Sequence, residues 1–427
     1  MRLLVKGATI VNPDRVFEAD ILVEKGLIKK VGRDIPANGA KVIEAKGKHA
    51  FPGFIDMHAH LRTPGREDKE TIETGSKAAV KGGFTTLLCM PNTQPAIDNY
   101  EIALRIRKEA ERLGLLDVIP VGAISKGRTG QELSEFGQLK KAGCLAVSDD
   151  GSSLEKASVL RRALEYAKLF DILVISHCEE PTLSNGGVLK ESPLTAKWGF
   201  PAIPEIAESI IVAREIEMAR YLDAPIHLAH ISTKRSVELI ALAKSQGIKI
   251  TAETCPHYFT LSLEDVERDF GSNFKVNPPL GDKDDRDALR QALKEGTVDC
   301  IATDHAPHTA LEKEGTLVES AFGMIGLEFA FSLSLRLVEE KVLTLEQLAE
   351  RLSRSPARIL GLSDRGTIEE GKRADIVITD LKKSWQVTAE GILSRSKNTP
   401  FLGQTLKGKI EHTIHKGSVV YNSDLRR

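Results

Sequence analysis

Residues 299–308 read DCIATDHAPH, a short apolar run that opens into Asp304, His305 and His308. An apolar run bounded by polar residues is what a strand buried on both faces of a parallel sheet looks like. Seven runs of the same build precede it: FIDMH (54–58), TTLLCMP (85–91), DVIPVGAI (117–124), CLAVSDD (144–150), DILVISHCE (171–179), PIHLAHIS (225–232) and KITAETCPH (249–257). Residues 67–81, 100–112, 153–169, 206–221, 234–246, 284–295 and 327–340 carry apolar side chains three and four apart, which predicts helices packed outside a sheet. Strand and helix in eightfold alternation predict an α/β chain closed into a (β/α)8 barrel. Catalytic groups of such barrels sit where the strands end, and His58, Asp150, His177, His230 and Asp304 all stand there.

A barrel of about 250 residues leaves well over a hundred of the 427 for a second domain. Residues 1–50 and 364–427 share a texture of short strands and turns, as in LLVKGATIVNP and GKRADIVITD. Neither piece is large enough to close a sheet alone, so they are expected to form one small β-sandwich interrupted by the barrel at 51–363. Lys plus Arg total 59 against 60 Asp plus Glu, a balance with no field to draw in nucleic acid or an anionic membrane. A small-molecule substrate is expected. The five cysteines lack paired spacing and fall in or beside predicted buried strands, which fits a reduced cytoplasm. The opening MRLLVKGATIVNPD alternates like a strand and has no signal-peptide core, and no apolar run reaches membrane-spanning length.

His58 and His60 are two apart on a strand, so both imidazoles face the barrel mouth. With His177 and His230 from strands 5 and 6, and carboxylates from strands 4 and 8, there are enough ligands for two adjacent ions. One ion alone is also compatible. Imidazole and carboxylate select a borderline ion such as zinc, which acidifies a water toward pKa 7. On strand 4, spacing leaves Asp149 and Asp150 as alternatives. Arg62 reaches the same mouth with a planar donor fork suited to a carboxylate. Asn92 and His308 stand at strand ends where they can contact the same group. The polar stretch 305–321 after Asp304 lacks a strong helical pattern and is a candidate lid.

The segments PGFIDMHAHLR, SDDG, ISHCE, LAHIS, ETCPHYFTL and IATDHAPH, in this order, resemble the amidohydrolase superfamily and, within it, the longer bacterial dihydroorotases. That resemblance implies His58, His60, Asp150, His177, His230 and Asp304 as metal ligands, with the strand 4 ligand directly before Gly151. It implies His60, Arg62, Asn92 and His308 at the substrate, the last three on its carboxylate, and Asn277 with the backbone of Phe322 and Gly323 on the pyrimidine ring. Asp304 is then the general acid and base of a reversible ring closure, N-carbamoyl-L-aspartate to L-dihydroorotate, in pyrimidine biosynthesis. One departure is Thr63, where members commonly carry Glu. Hydantoinases and dihydropyrimidinases carry a carboxylated lysine on strand 4. CLAVSDDG has none, and Lys126 reads as a solvated loop lysine. Cys255 and His257 read as structural. The rival expectations are an allantoinase or hydantoinase, and a non-catalytic scaffold for aspartate transcarbamoylase. Homo-oligomers and an active complex with that transcarbamoylase are both compatible with the resemblance.

Overall fold

The computed structural model of the chain describes residues 2–424. The eight barrel strands are Phe54–Ala59, Phe84–Cys89, Asp117–Pro120 continuing into Gly122–Ala123, Ala146–Ser148, Leu173–Ser176, Ile226–Leu228, Ile250–Thr254 and Cys300–Ile301. Each pairs in parallel with the next. The ring closes where the His60 amide donates to the His305 carbonyl at 2.9 Å, beside a parallel bridge between Ala59 and His305. The predicted α/β barrel is therefore the fold. All six residues of each of the first two strands are buried, the double-sided burial that their unbroken apolar runs imply.

Helices lie at Ile72–Lys81, Tyr100–Leu113, Ala157–Phe170, Ile206–Leu222, Lys234–Ser245, Lys283–Glu295 and Ala330–Glu339. The first begins five residues later than the periodicity suggests. Thr71 and Thr74 form a capping box there, and the preceding residues make the loop that carries Arg62, itself at φ 57°. The helix Phe136–Ala142 was not expected. Seven residues give too few turns for an apolar stripe, and only Phe136, Leu139 and Ala142 are buried.

The chain ends meet in one eight-stranded sheet. Its order runs Ser418–Asn422, Thr405–His415, Ile376–Gln386, His49–Pro52, Arg2–Asn12, Arg15–Glu24, Leu27–Gly32, with Lys41–Glu44 also paired to Arg2–Asn12. Ile376 pairs antiparallel with Pro52, so the sheet runs two residues past position 50. Leu3, Ile21 and Val23 from one wing share a core with Ile376, Ile378 and Ile414 from the other. Asp117, at the start of the third barrel strand, accepts from Arg373 Nη1 (2.5 Å), Arg365 Nη1 (3.0 Å) and Lys416 Nζ (2.6 Å), fastening the C-terminal arm to the barrel. All five cysteines are buried and free. Among the described residues, no helix is long and apolar enough to cross a membrane.

Candidate active site

Pleating sends His58 and His60 to the same side of the first strand, and each imidazole is fixed through its Nδ1 atom. A carboxylate only accepts, so the 2.9 Å contact from His58 Nδ1 to Glu253 Oε1 carries the proton on Nδ1 and turns a bare Nε2 inward. His60 Nδ1 likewise faces Asn92 Oδ1 at 2.8 Å. Asp150 lies between the two sets of histidines. Its Oδ1 is 3.2 Å from His58 Nε2, 3.6 Å from His177 Nδ1 and 3.5 Å from His230 Nε2, while Oδ2 is 3.5 Å from His60 Nε2. Asp304 Oδ1 is 3.1 Å from His60 Nε2 and 3.8 Å from His58 Nε2. His177 Nδ1 and His230 Nε2 approach to 2.9 Å.

These donors fit a metal. Tetrahedral ligands about 2.0–2.1 Å from an ion are ~3.3 Å apart, close to the spacings here. His58 Nε2 and Asp150 Oδ1 are fully buried with no hydrogen-bond partner, an arrangement that is costly unless a cation satisfies it. The site favours positive charge. Burial pushes the Asp150 carboxyl up, but His58, His177 and His230 outweigh it and hold it well below the usual carboxylate range. Burial lowers His177, yet Asp150 and Glu179 push it up to about 10. His58, His60 and Asp304 form one group able to hold an ion, and His58, Asp150 and His230 another.

Asp149, the alternative carboxylate, turns away. It accepts from the backbone amide of Ser125 at 3.0 Å and from its hydroxyl, at the end of the third strand. Lys126 is exposed and paired with Glu132.

A cavity of about 270 Å³ opens over the cluster. His60, Arg62, Asn92, Asp150, His177, His230, Asn277, Asp304, His308, Phe322 and Gly323 all line it, while His58 sits beneath its floor. Arg62 Nε donates to the Pro307 carbonyl at 3.3 Å, and its Nη2 is 3.4 Å from His308 Nε2. Burial lowers Arg62 to about 10, so it stays charged at neutral pH, and burial beside Arg62 and Lys69 lowers His308 to about 3, so it stays neutral. Thr63 is buried with its hydroxyl on the Glu70 carbonyl at 3.4 Å, clear of the Arg62 contacts. His257 is buried against the Tyr258 ring, 4.1 Å between centroids, and Cys255 is buried beside it.

Gly323 has φ 128°, and a Cβ there would meet the Ala306 Cβ at 2.7 Å, so glycine is required where the cavity wall turns. Its amide already donates to the Lys275 carbonyl, and its carbonyl accepts from Lys313 Nζ and Asn398 Nδ2. Both lone pairs of that oxygen are committed, which leaves Phe322 the better placed of the two for a ligand.

Three supporting residues escaped the sequence reading. Glu179 accepts from His177 Nε2 (2.7 Å) and Asn277 Nδ2 (2.8 Å); it stands two residues after His177, the same period that links His58 to His60. Glu253, which fixes His58 Nδ1, follows no candidate ligand on its own strand. Asn398 holds the His308 amide and the Ala306 carbonyl from 90 residues away, with no local pattern to announce it.

Residues 47–236 match the Dihydro-orotase-like family model and 278–421 the Amidohydrolase family model. The chain is 48% identical over 99% of its length to a dihydroorotase of Trichlorobacter lovleyi, covering all of that protein, and 47% identical over the same share to one of Geobacter metallireducens, again covering all of it. This chain belongs to the dihydroorotase family. Among solved structures, the L-hydantoinase of Arthrobacter aurescens superposes with a TM-score of 0.89 at 26% identity, covering 98% of this chain and 96% of that one. The dihydropyrimidinase of Brevibacillus agri, at 23% identity and TM-score 0.84 over 99% and 95%, shares the fold. On the fourth strand this member of the dihydroorotase family presents Asp150 to the histidines.

Proposed function

We propose that this chain is a dihydroorotase, interconverting N-carbamoyl-L-aspartate and L-dihydroorotate for pyrimidine biosynthesis. The observation that carries this reading is one cavity in which a histidine and aspartate cluster shares its walls with Arg62, Asn92 and His308. His58, His60, Asp150, His177, His230 and Asp304 are the residues that would hold zinc, one or two ions. When bound it supplies an acidified water and a polarised carbonyl. Arg62 and the amide nitrogen of Asn92, whose oxygen His60 occupies, receive the α-carboxylate with neutral His308 beside them. Asn277, held by Glu179, and the Phe322 backbone orient the ring. In the hydrolytic direction Asp304 takes a proton from the attacking water and delivers it to the ring nitrogen as the C–N bond breaks. In ring closure it works in reverse.

Stripping the protein with a chelator should abolish turnover, and Zn²⁺ should restore it; full activity after verified metal removal would refute the assignment. Hydantoin and allantoin, assayed alongside dihydroorotate, test the other cyclic amidase readings. Arg62→Ala spares the cluster but removes a charge-assisted pair. Its kcat/KM should fall by about 2–4 kcal/mol, roughly 30- to 1,000-fold, and unchanged kinetics would exclude Arg62 from the substrate.

The stretch 305–321 is proposed to close over bound substrate. It contains the helix Ala310–Lys313, whose capping box joins Thr309 to Glu312 and which periodicity was too short to reveal. Lys275 Nζ donates to the carbonyls of Val318 and Ser320, and Lys313 Nζ to that of Ala321, so both ends of the stretch are anchored and the exposed residues 314–316 are the part left to move. Proteolysis around residues 310–316 should be slowed by dihydroorotate, and equal cleavage with and without ligand would reduce the loop to a surface connection. The five buried thiols suit a reducing cytoplasm. Self-association and binding to an aspartate transcarbamoylase are both testable by light scattering.

A further inference from the structure

Beneath the cavity the barrel interior carries a polar chain where apolar packing is the rule. Thr251 and Glu253 stand two apart on the seventh strand, and His227 on the sixth is the register partner of Thr251. Thr251 Oγ1 is 2.8 Å from His227 Nδ1, His227 Nε2 is 3.2 Å from Glu253 Oε2, and Glu253 Oε1 is 2.9 Å from His58 Nδ1. His58, His227 and Glu253 have no exposed surface. Neither His227 Nε2 nor Glu253 Oε2 makes a hydrogen bond, and at 3.2 Å the two buried atoms face each other as a charge-complementary contact.

Donor and acceptor chemistry gives the chain a direction. Glu253 only accepts, so His227 presents N–H from Nε2, and its Nδ1 is left to accept from the Thr251 hydroxyl. Glu253 and His227 do not line the cavity, so they touch no substrate. Stability does not explain them either, since apolar replacements of buried ionic groups are often neutral or stabilising. What they do touch is the far nitrogen of His58. A carboxylate at that position fixes the tautomer and ring orientation of a metal-ligating histidine and raises its basicity.

We infer that Glu253 and His227 are positioning residues that hold His58 with its Nε2 lone pair aimed into the metal cluster, His227 acting only through Glu253. The inference rests on the reading of His58 as a ligand.

The test is zinc affinity of chelator-stripped protein, titrated against a chromophoric chelator, with thermal unfolding of each metal-free variant recorded in parallel. Glu253→Gln should weaken zinc binding by about 10- to 100-fold and His227→Leu by about 10-fold. His227→Gln retains an N–H near the lost donor and should recover most of the affinity. The double variant Glu253→Gln, His227→Leu should bind no more weakly than Glu253→Gln alone. KM for dihydroorotate should be unchanged throughout, because the substrate contacts are intact. Wild-type affinity in His227→Leu, equal losses in its leucine and glutamine variants, or additive losses in the double variant would overturn the inference. Loss of one zinc per chain with the remainder bound normally would also overturn it, in favour of an ion held by His227, Glu253 and Cys300 themselves. His58→Ala separates the two levels: if it binds zinc like the wild type, the reading of His58 as a ligand fails, whatever the His227 variants do.

Discussion

Replacing Asp304 with asparagine should lower kcat by ~10²- to 10⁴-fold in both directions, the range lost when a positioned proton carrier is removed. The substitution preserves shape and an oxygen facing His60, 3.1 Å away in the native chain, but an amide cannot shuttle a proton. Burial alone would raise the Asp304 carboxyl. The hydrogen bond from His60 and the neighbouring imidazoles of His58 and His230 outweigh burial and hold it well below the usual carboxylate range, so it is ionised at neutral pH. KM should change much less than kcat, since the carboxylate contacts assigned to Arg62 and Asn92 are untouched. A kcat within tenfold of the wild type at verified metal loading would remove Asp304 from the proton path.

The second large effect distinguishes neighbouring carboxylates. Asp150→Ala should lose bound metal and turnover together, because Asp150 reaches both sets of histidines. Asp149→Ala should keep its metal. What it loses is the pair of hydrogen bonds to Ser125, with a stability cost of about 1–3 kcal/mol for the unmet buried groups. Metal analysis and thermal unfolding of the two variants check this directly, and the reverse pattern would exchange the assignments.

The barrel was legible because parallel strands bury both faces, so each leaves an unbroken apolar run, and because His58 and His60 repeat at the period of the pleat. The extent of each ladder was not legible. In the eighth run only Cys300–Ile301 forms a ladder, since Thr303 gives its amide and hydroxyl to the Asp56 carboxylate and Asp304, at φ 43°, leaves strand geometry before His305 makes its single bridge to Ala59. Helix starts failed where a capping side chain outranked periodicity, as Thr71 does. The side chains of the histidine and aspartate cluster are strand-end residues and could be found by position. Their supports are long-range: Glu253 meets His58 across 195 residues, side chain to side chain between strands that do not pair, which leaves no mark on either local segment. Asn92 shows how one position can carry more than its local sequence announces. It lines the cavity as expected, yet its oxygen orients His60.

The pairing of His49–Pro52 with the strand that begins at Ile376 sets a schedule for synthesis. From Pro52 to Ile376 is 324 residues, which a ribosome making about 5–20 residues per second crosses in roughly 16–65 s. Throughout that interval the N-terminal strands have emerged with one edge unpaired, an open template for the wrong neighbour. The whole barrel must be translated before the sheet at its base can be completed, so the last strands made in the cell close the first.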